Sequence, residues 1–270
     1  MKVQSLLFVL CILASSLVFA QDDTATNDDG LSEEAKLAKA TQNPLAAMYS
    51  LPFQNNTTFN VGPEKRSQNV LNIQPVIPVS IGEGVNLINR VILPIITQPY
   101  GEDGVNSSTG IGDISYTAWF SPTKASKVTW GVGPVFQIPT ASKDIYGSAE
   151  FGLGPSLVAL TSIQKWVAGI VVNNVWTFGD AEENKFLLQY FVNYNLPKAW
   201  YIVSAPIMTA DWTAESSQQW IVPLGGGAGK VFKLGNQPIN INTQAYYNAI
   251  TPDGFGDWQL RVQLQFLFPK

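Results

Sequence analysis

The sequence has no histidine, and its one cysteine, Cys11, lies among the first twenty residues. Those residues read as an export signal. Lys2 supplies the positive start, residues 6–13 begin the apolar stretch, and Val18-Phe19-Ala20 offers cleavage before Gln21. After that cleavage neither cysteine nor histidine remains. Disulfides, thiolate-zinc sites, imidazole metal ligands and Ser-His or Cys-His nucleophile pairs are therefore excluded. Carboxylate or Ser-Lys chemistry survives, but no carboxylate pair stands at a spacing suited to acid–base work. The expectation is a protein that is not an enzyme and uses no cofactor or metal.

Charge is also scarce, at 13% of residues against about 25% in ordinary soluble domains. The net charge is −4 and the lysines are scattered, so there is no basic footprint for nucleic acid. Beyond the signal, no apolar run approaches the ~18 residues of a membrane-spanning helix. Yet 46% of the chain is hydrophobic. An exported chain that is apolar, poor in charge and broken into short runs fits a membrane barrel better than a soluble sandwich.

What the chain has is alternation. From Trp258 to Phe268, Trp258, Leu260, Val262, Leu264, Phe266 and Phe268 fall on one face of a strand, and Gln259, Arg261, Gln263 and Gln265 on the other. Twelve strand-like segments follow from period and turn punctuation, near 53–61, 67–81, 85–97, 110–121, 127–139, 149–161, 165–178, 185–196, 200–211, 218–230, 237–249 and 256–268. An even count suits single-chain bacterial barrels. Connections at one end are short, as at 82–84 and 197–199. Those at the other include the longer, Gly-, Ser- and Asp-rich 99–109 and 140–150. The eight tryptophans avoid strand centres: Trp119, Trp130, Trp166 and Trp200 lie toward the short-turn end, and Trp176, Trp212, Trp220 and Trp258 toward the other. That placement predicts two aromatic girdles.

Ahead of the strands, residues 21–30 are acidic and are expected to be disordered. Ser32 can cap a helix whose first turn carries Glu33 and Glu34, residues 35–40 favour helix, Asn43-Pro44 stops it, and residues 45–49 suggest a further turn. This stretch reads equally as a mobile periplasmic tail or as a plug in the barrel mouth.

The alternation nominates lumen-lining side chains: Asn72 and Gln74; Gln189 and Asn193; Asn240, Asn242 and Gln244; Gln259, Arg261 and Gln263. Arg90, Asp113 and Gln137 complete the set. Segments 85–97 and 165–178 are apolar on both faces over part of their length, so their registers stay open. An amide-rich, charge-poor lumen, with Ile88, Ile92 and Phe191 also inside, suits neutral or partly apolar solutes; the same amides bonded to one another would fill a closed interior. Twelve strands predict a narrow or plugged pore. Pro75, Pro78, Pro94, Pro134, Pro155, Pro206 and Pro223 fall within strands, and each predicts a bulge or gap in pairing. The glycine run before Lys230 is not a phosphate loop, because Leu224 and Val231 occupy the positions that need Gly and Ser or Thr.

The segments LAKATQNP, SLPFQNN, VLNIQPVIP, GIGDI, WGVGPVFQIPT, FLLQYFVNYNLP, GKVFKLGNQP and DWQLRVQLQFLFP resemble a family of bacterial outer-membrane proteins. Its members are labelled transporters, or proteins of the meta-pathway of phenol degradation, and often carry the misleading name neuromedin U. The likeness runs from Leu37 to Phe268. It implies a Gram-negative outer-membrane barrel passing small aromatic compounds, with membrane lipid and the barrel-assembly machinery as partners. The last strand also resembles the assembly signal that ends in phenylalanine, except that Pro269 and Lys270 follow Phe268.

These readings predict an all-β protein: an antiparallel transmembrane barrel of about 12 strands over residues 51–270, behind a short N-terminal periplasmic helix. Its expected role is a channel for small, mostly uncharged solutes. The alternative is a closed structural or surface-binding barrel acting through its longer loops.

Overall fold

The computed structural model describes residues 32–124, 126–180 and 182–269. The expected export signal, its cleavage after Ala20 and the acidic stretch 21–30 lie outside them. One helix, α1 (Glu33–Thr41), precedes fifteen β-segments. These are β1 (Tyr49–Val61), β2 (Arg66–Ile73), β3 (Val76–Ser80), β4 (Val85–Gln98), β5 (Ser108–Ile111), β6 (Ile114–Pro122), β7 (Val128–Ile138) and β8 (Gly152–Ile163). Then come β9 (Trp166–Thr177), β10 (Asn184–Asn195), β11 (Trp200–Ser204), β12 (Ile207–Asp211), β13 (Trp220–Leu234), β14 (Gln237–Ile250) and β15 (Trp258–Phe268). Three pairs, β2–β3, β5–β6 and β11–β12, are single strands interrupted at Gln74-Pro75, Gly112-Asp113 and Ala205-Pro206, which leaves a 12-strand antiparallel barrel.

Closure comes from the two ends of the chain. β1 pairs with β15 from Tyr49↔Phe268 to Phe59↔Trp258, so no edge strand is left with unpaired amides. β14 shows why these residues make such a wall: Asn240, Asn242, Gln244, Tyr246 and Asn248 are buried inside, while Ile241, Thr243, Ala245, Tyr247 and Ala249 stand outside. The outer surface is greasy, with Ile202 54% exposed, Leu224 45% and Ile241 41%. Such a number of exposed large apolar side chains is unusual for a surface that meets water.

Prolines break the ladder less often than expected. Pro75 and Pro206 interrupt strands and Pro223 sits at a register shift. Pro134 and Pro155 instead face each other across β7 and β8, so two residues without N–H groups share one site. Trp119 departs from the girdle reading. It pairs with Ile88 on the inner face, is 1% exposed, and donates its Nε1–H to Ser156 Oγ at 3.0 Å. Nearness to a strand end sets height, not face. Trp130, Trp166, Trp176, Trp200, Trp212 and Trp258 are exposed on the outside.

α1 begins as its sequence dictates, with Ser32 Oγ accepting from the Ala35 amide at 3.3 Å. Residues 42–48 make turns rather than a further helical turn, and the wall starts at Tyr49. The helix lies at the short-turn end, where Ala38 and Met48 bury against Ala199, Val231 and Leu267.

Candidate functional site

Strand register assembles the inner wall. Asn240↔Gln265, Asn242↔Gln263 and Gln244↔Arg261 pair between β14 and β15, and Gln54↔Gln263 and Asn56↔Arg261 pair between β15 and β1. The amides satisfy one another: Asn240 Nδ2 donates to Gln265 Oε1 at 3.0 Å, Gln244 Nε2 to Asn242 Oδ1 at 2.8 Å, and Tyr201 OH to Asn240 Oδ1 at 2.7 Å. Buried polar groups bonded this way hold a fixed, polar surface.

Two guanidiniums join that wall. Arg261 donates Nε to Asn56 Oδ1 at 2.9 Å and Nη1 to the Ala205 carbonyl at 2.8 Å, and stacks 5.2 Å above the Tyr246 ring. The Ala205-Pro206 interruption thus has its freed carbonyl held from inside the barrel. Arg90 donates Nη2 to Gln74 Oε1 at 2.8 Å. Among the described residues neither arginine has an ion-pair partner.

The opposite side of the lumen is apolar. Ile88, Val158, Val171, Phe191 and Val203 form one buried cluster with Trp119 and Leu45. Between the two sides lies a cavity of about 180 Å³. Of the side chains nominated from sequence, Gln74, Arg90, Gln189, Asn193, Asn240, Asn242, Gln244, Arg261 and Gln263 line it. Asn72, paired with Gln54, sits one pleat toward the loop end. Gln259 binds Asn248 at 2.7 Å there. Asp113 and Gln137 serve the loops instead. Tyr201, Val203 and Gln54 also line the cavity, in segments whose alternation is too weak to assign a face from sequence.

Segments of the chain pack into the barrel at both ends. At the short-turn end Thr41, Gln42 and Pro44 reach the cavity. Gln42 and Asn195 exchange reciprocal amide bonds of 2.9 and 3.1 Å, and Leu45 fills the space beside Gly131, where a Cβ would lie 3.0 Å from its Cδ2. At the other end residues 139–151 fold inward. Asp113 Oδ1 accepts the Thr140 and Ala141 amides at 3.0 Å each, and its Oδ2 accepts the Ala149 amide at 3.1 Å. Tyr146 is buried on Gly110, where any side chain would overlap its ring. Glu183 ties this loop to Gln137 and Ser148, each at 3.0 Å, and pairs with Lys185. Burial pushes the Glu183 carboxyl up, but those donors together outweigh it and hold it below its usual value.

The glycine run on β13 leaves less inner space than its sequence suggests. The Tyr201 ring occupies the place of a side chain at Gly229, and Gly227 lies against the Thr243 carbonyl. On the outside, pairing of β13 with β11 and β12 lapses between Ile221 and Gly227. An apolar groove of about 560 Å³ lies there, lined by Trp166, Tyr194, Ile202 and Gly226 among others.

No protein-family model matches the chain, and no curated protein sequence matches it. Among solved structures it is similar to an outer-membrane channel from Pseudomonas putida F1, at 13% identity and TM-score 0.62, over 82% of this chain and 94% of that one. It also aligns with a FadL homologue from Pseudomonas aeruginosa at 8% identity and TM-score 0.44, over 84% and 92% of the two chains. Outer membrane phospholipase A from Escherichia coli aligns at 10% identity and TM-score 0.43, over 83% and 99%. The first likeness is one of fold, an outer-membrane type of barrel; the other two are too distant to carry an argument.

Proposed function

We propose that this chain is a bacterial outer-membrane channel, not an enzyme, through which small solutes diffuse passively. In this reading the short-turn end faces the periplasm, the outer band meets lipid, and the assembly machinery inserts the exported chain. The observation that carries it is the amphipathic cavity: a fixed wall of Gln, Asn and Arg opposite Val171, Phe191 and Val203. Such a lumen accepts solutes with a polar edge and an apolar body, mostly uncharged ones and small aromatics among them. Its small volume and its two stoppers describe a resting, closed state. Passage then requires residues 32–48 to leave the periplasmic mouth. Planar-bilayer conductance and liposome swelling, with the mature chain and with a form lacking residues 21–48, test this. Conductance that rises on truncation supports it; a folded barrel that passes nothing in either form refutes it.

The two stoppers equally favour a closed barrel acting through its loops. Deleting residues 99–109 and 140–150 separates the readings, since a channel keeps its permeability or gains some, whereas a surface binder loses the loops that do its work.

A further inference from the structure

We propose that the lumen holds a binding site for a small organic monocarboxylate, with Arg90 and Arg261 as its anion-binding pair. This rests on the channel reading for access but departs from its mostly uncharged solutes: the constriction favours ones with a single negative head and an apolar body.

Arg90 and Arg261 line one cavity, and among the described residues no carboxylate lines it with them. A guanidinium stays protonated in a protein, so the cavity carries two like charges with no counter-charge from the described side chains. Buried charges are normally paired. The negative C-terminal end of α1 reaches the cavity through Thr41 and Gln42, but it carries only about half a charge against two guanidiniums, and local donors occupy several of its carbonyls. Thr41 Oγ1 donates to the Ala38 carbonyl at 2.8 Å, and the Gln42 and Asn43 amides donate to Lys39 and Ala40 at 3.2 Å each.

The two arginines divide the work. Arg261 is 4% exposed, commits Nε to Asn56 and Nη1 to Ala205, and lies over the Tyr246 ring, so it is held in place as a fixed charge. Arg90 makes a single side-chain bond, to Gln74, and keeps part of its surface open to the cavity. A planar fork with unspent N–H donors matches a carboxylate, and charge-assisted bonds of this kind are about twice as strong as neutral ones. The amides of Asn242, Gln244 and Gln263 can supply further donors around the head. Phe191, Val171 and Val203 then receive the apolar body, in a volume of about 180 Å³ that admits one small molecule. Carboxylates on the loops, such as Glu102 and Asp253, lie at the outer end, where salt screens their field within about 8 Å.

The test is equilibrium binding, which does not depend on conduction. Benzoate and hexanoate, each paired with its neutral amide, are titrated calorimetrically into the mature protein in neutral detergent, with folding checked by heat-dependent gel mobility. The expected result is saturable binding of one acid per chain, about tenfold or more tighter than the matching amide. Arg90→Gln removes that preference, and Arg90→Lys restores part of it. Equal affinity of acid and amide in the native protein overturns the proposal, whether or not any variant folds, and so does full acid preference in a folded Arg90→Gln. Acid binding in a barrel that never conducts refutes the channel and leaves the site standing; conduction without acid preference does the reverse.

Discussion

Replacing Leu45 by alanine should open the channel. Leu45 is 5% exposed and packs in the space left by Gly131, against Trp119 and the apolar side of the lumen. A large-to-small change at such a site costs ~2–5 kcal/mol when the surroundings do not collapse. The penalty falls on the docked state alone, because once the segment leaves the barrel the side chain meets water in either protein. With tenfold per ~1.4 kcal/mol, the docking equilibrium moves from roughly 30-fold to over a thousandfold toward release. Single-channel recording in planar bilayers reads this as the fraction of time spent open, which should rise steeply until it saturates. Gly131→Ala should act in the same direction more weakly, since its methyl would stand 3.0 Å from Leu45 Cδ2 and 3.2 Å from Trp119 Cβ. An open fraction unchanged by Leu45→Ala, in a barrel that still shows heat-dependent mobility, would refute the idea that this segment is the stopper.

Other outcomes follow from the same geometry. Leu264→Arg puts a charge on the outer face six residues from Trp258, about 20 Å along the strand and about 15 Å in depth at a barrel tilt near 40°. It should destabilise the folded barrel by ~2–4 kcal/mol in urea titrations in vesicles, while Gln263→Arg, facing the lumen, should cost far less. The loop at 140–150 should loosen in acid. The folded-state value of Glu183 is depressed, so the stability it lends is complete above its unfolded value and is lost as pH falls through the lower, folded one. Hydrogen exchange of that loop should therefore quicken in strong acid, and Glu183→Gln should show the fast exchange already at neutral pH. Brominated lipids should quench Trp166 and Trp200 but not Trp119, and Trp119→Phe should cost ~1–3 kcal/mol by leaving Ser156 without its donor.

Much of the wall was legible because one face met polar surroundings and the other apolar ones. β14 and β15 carry that contrast along their whole length, and their amides and Arg261 line the inner face as the alternation requires. β4 and β9 hid their register for a physical reason: Ile88, Val167 and Val171 face an apolar half of the lumen, so both faces of those strands are greasy. The interruptions at Pro75 and Pro206 could be read from the missing N–H, whereas the one at Gly112-Asp113 is made by the Asp113 carboxylate gathering amides from 27 to 36 residues away. The contact of Gln42 with Asn195 spans 153 residues and leaves no local trace. Trp119 shows the limit of counting positions along a strand, since its indole turned inward to Ser156.

The most direct measurement of the central claim is where the mature polypeptide goes when expressed in a Gram-negative cell. In the proposed reading, exposed Ile202, Leu224 and Ile241 meet hydrocarbon. The chain should sediment with outer membranes, resist washing with urea, dissolve only in detergent, and run faster on a gel before boiling than after. Recovery as a detergent-free solute of the periplasm would mean that the apolar belt packs against something other than lipid, and the channel would fall with it.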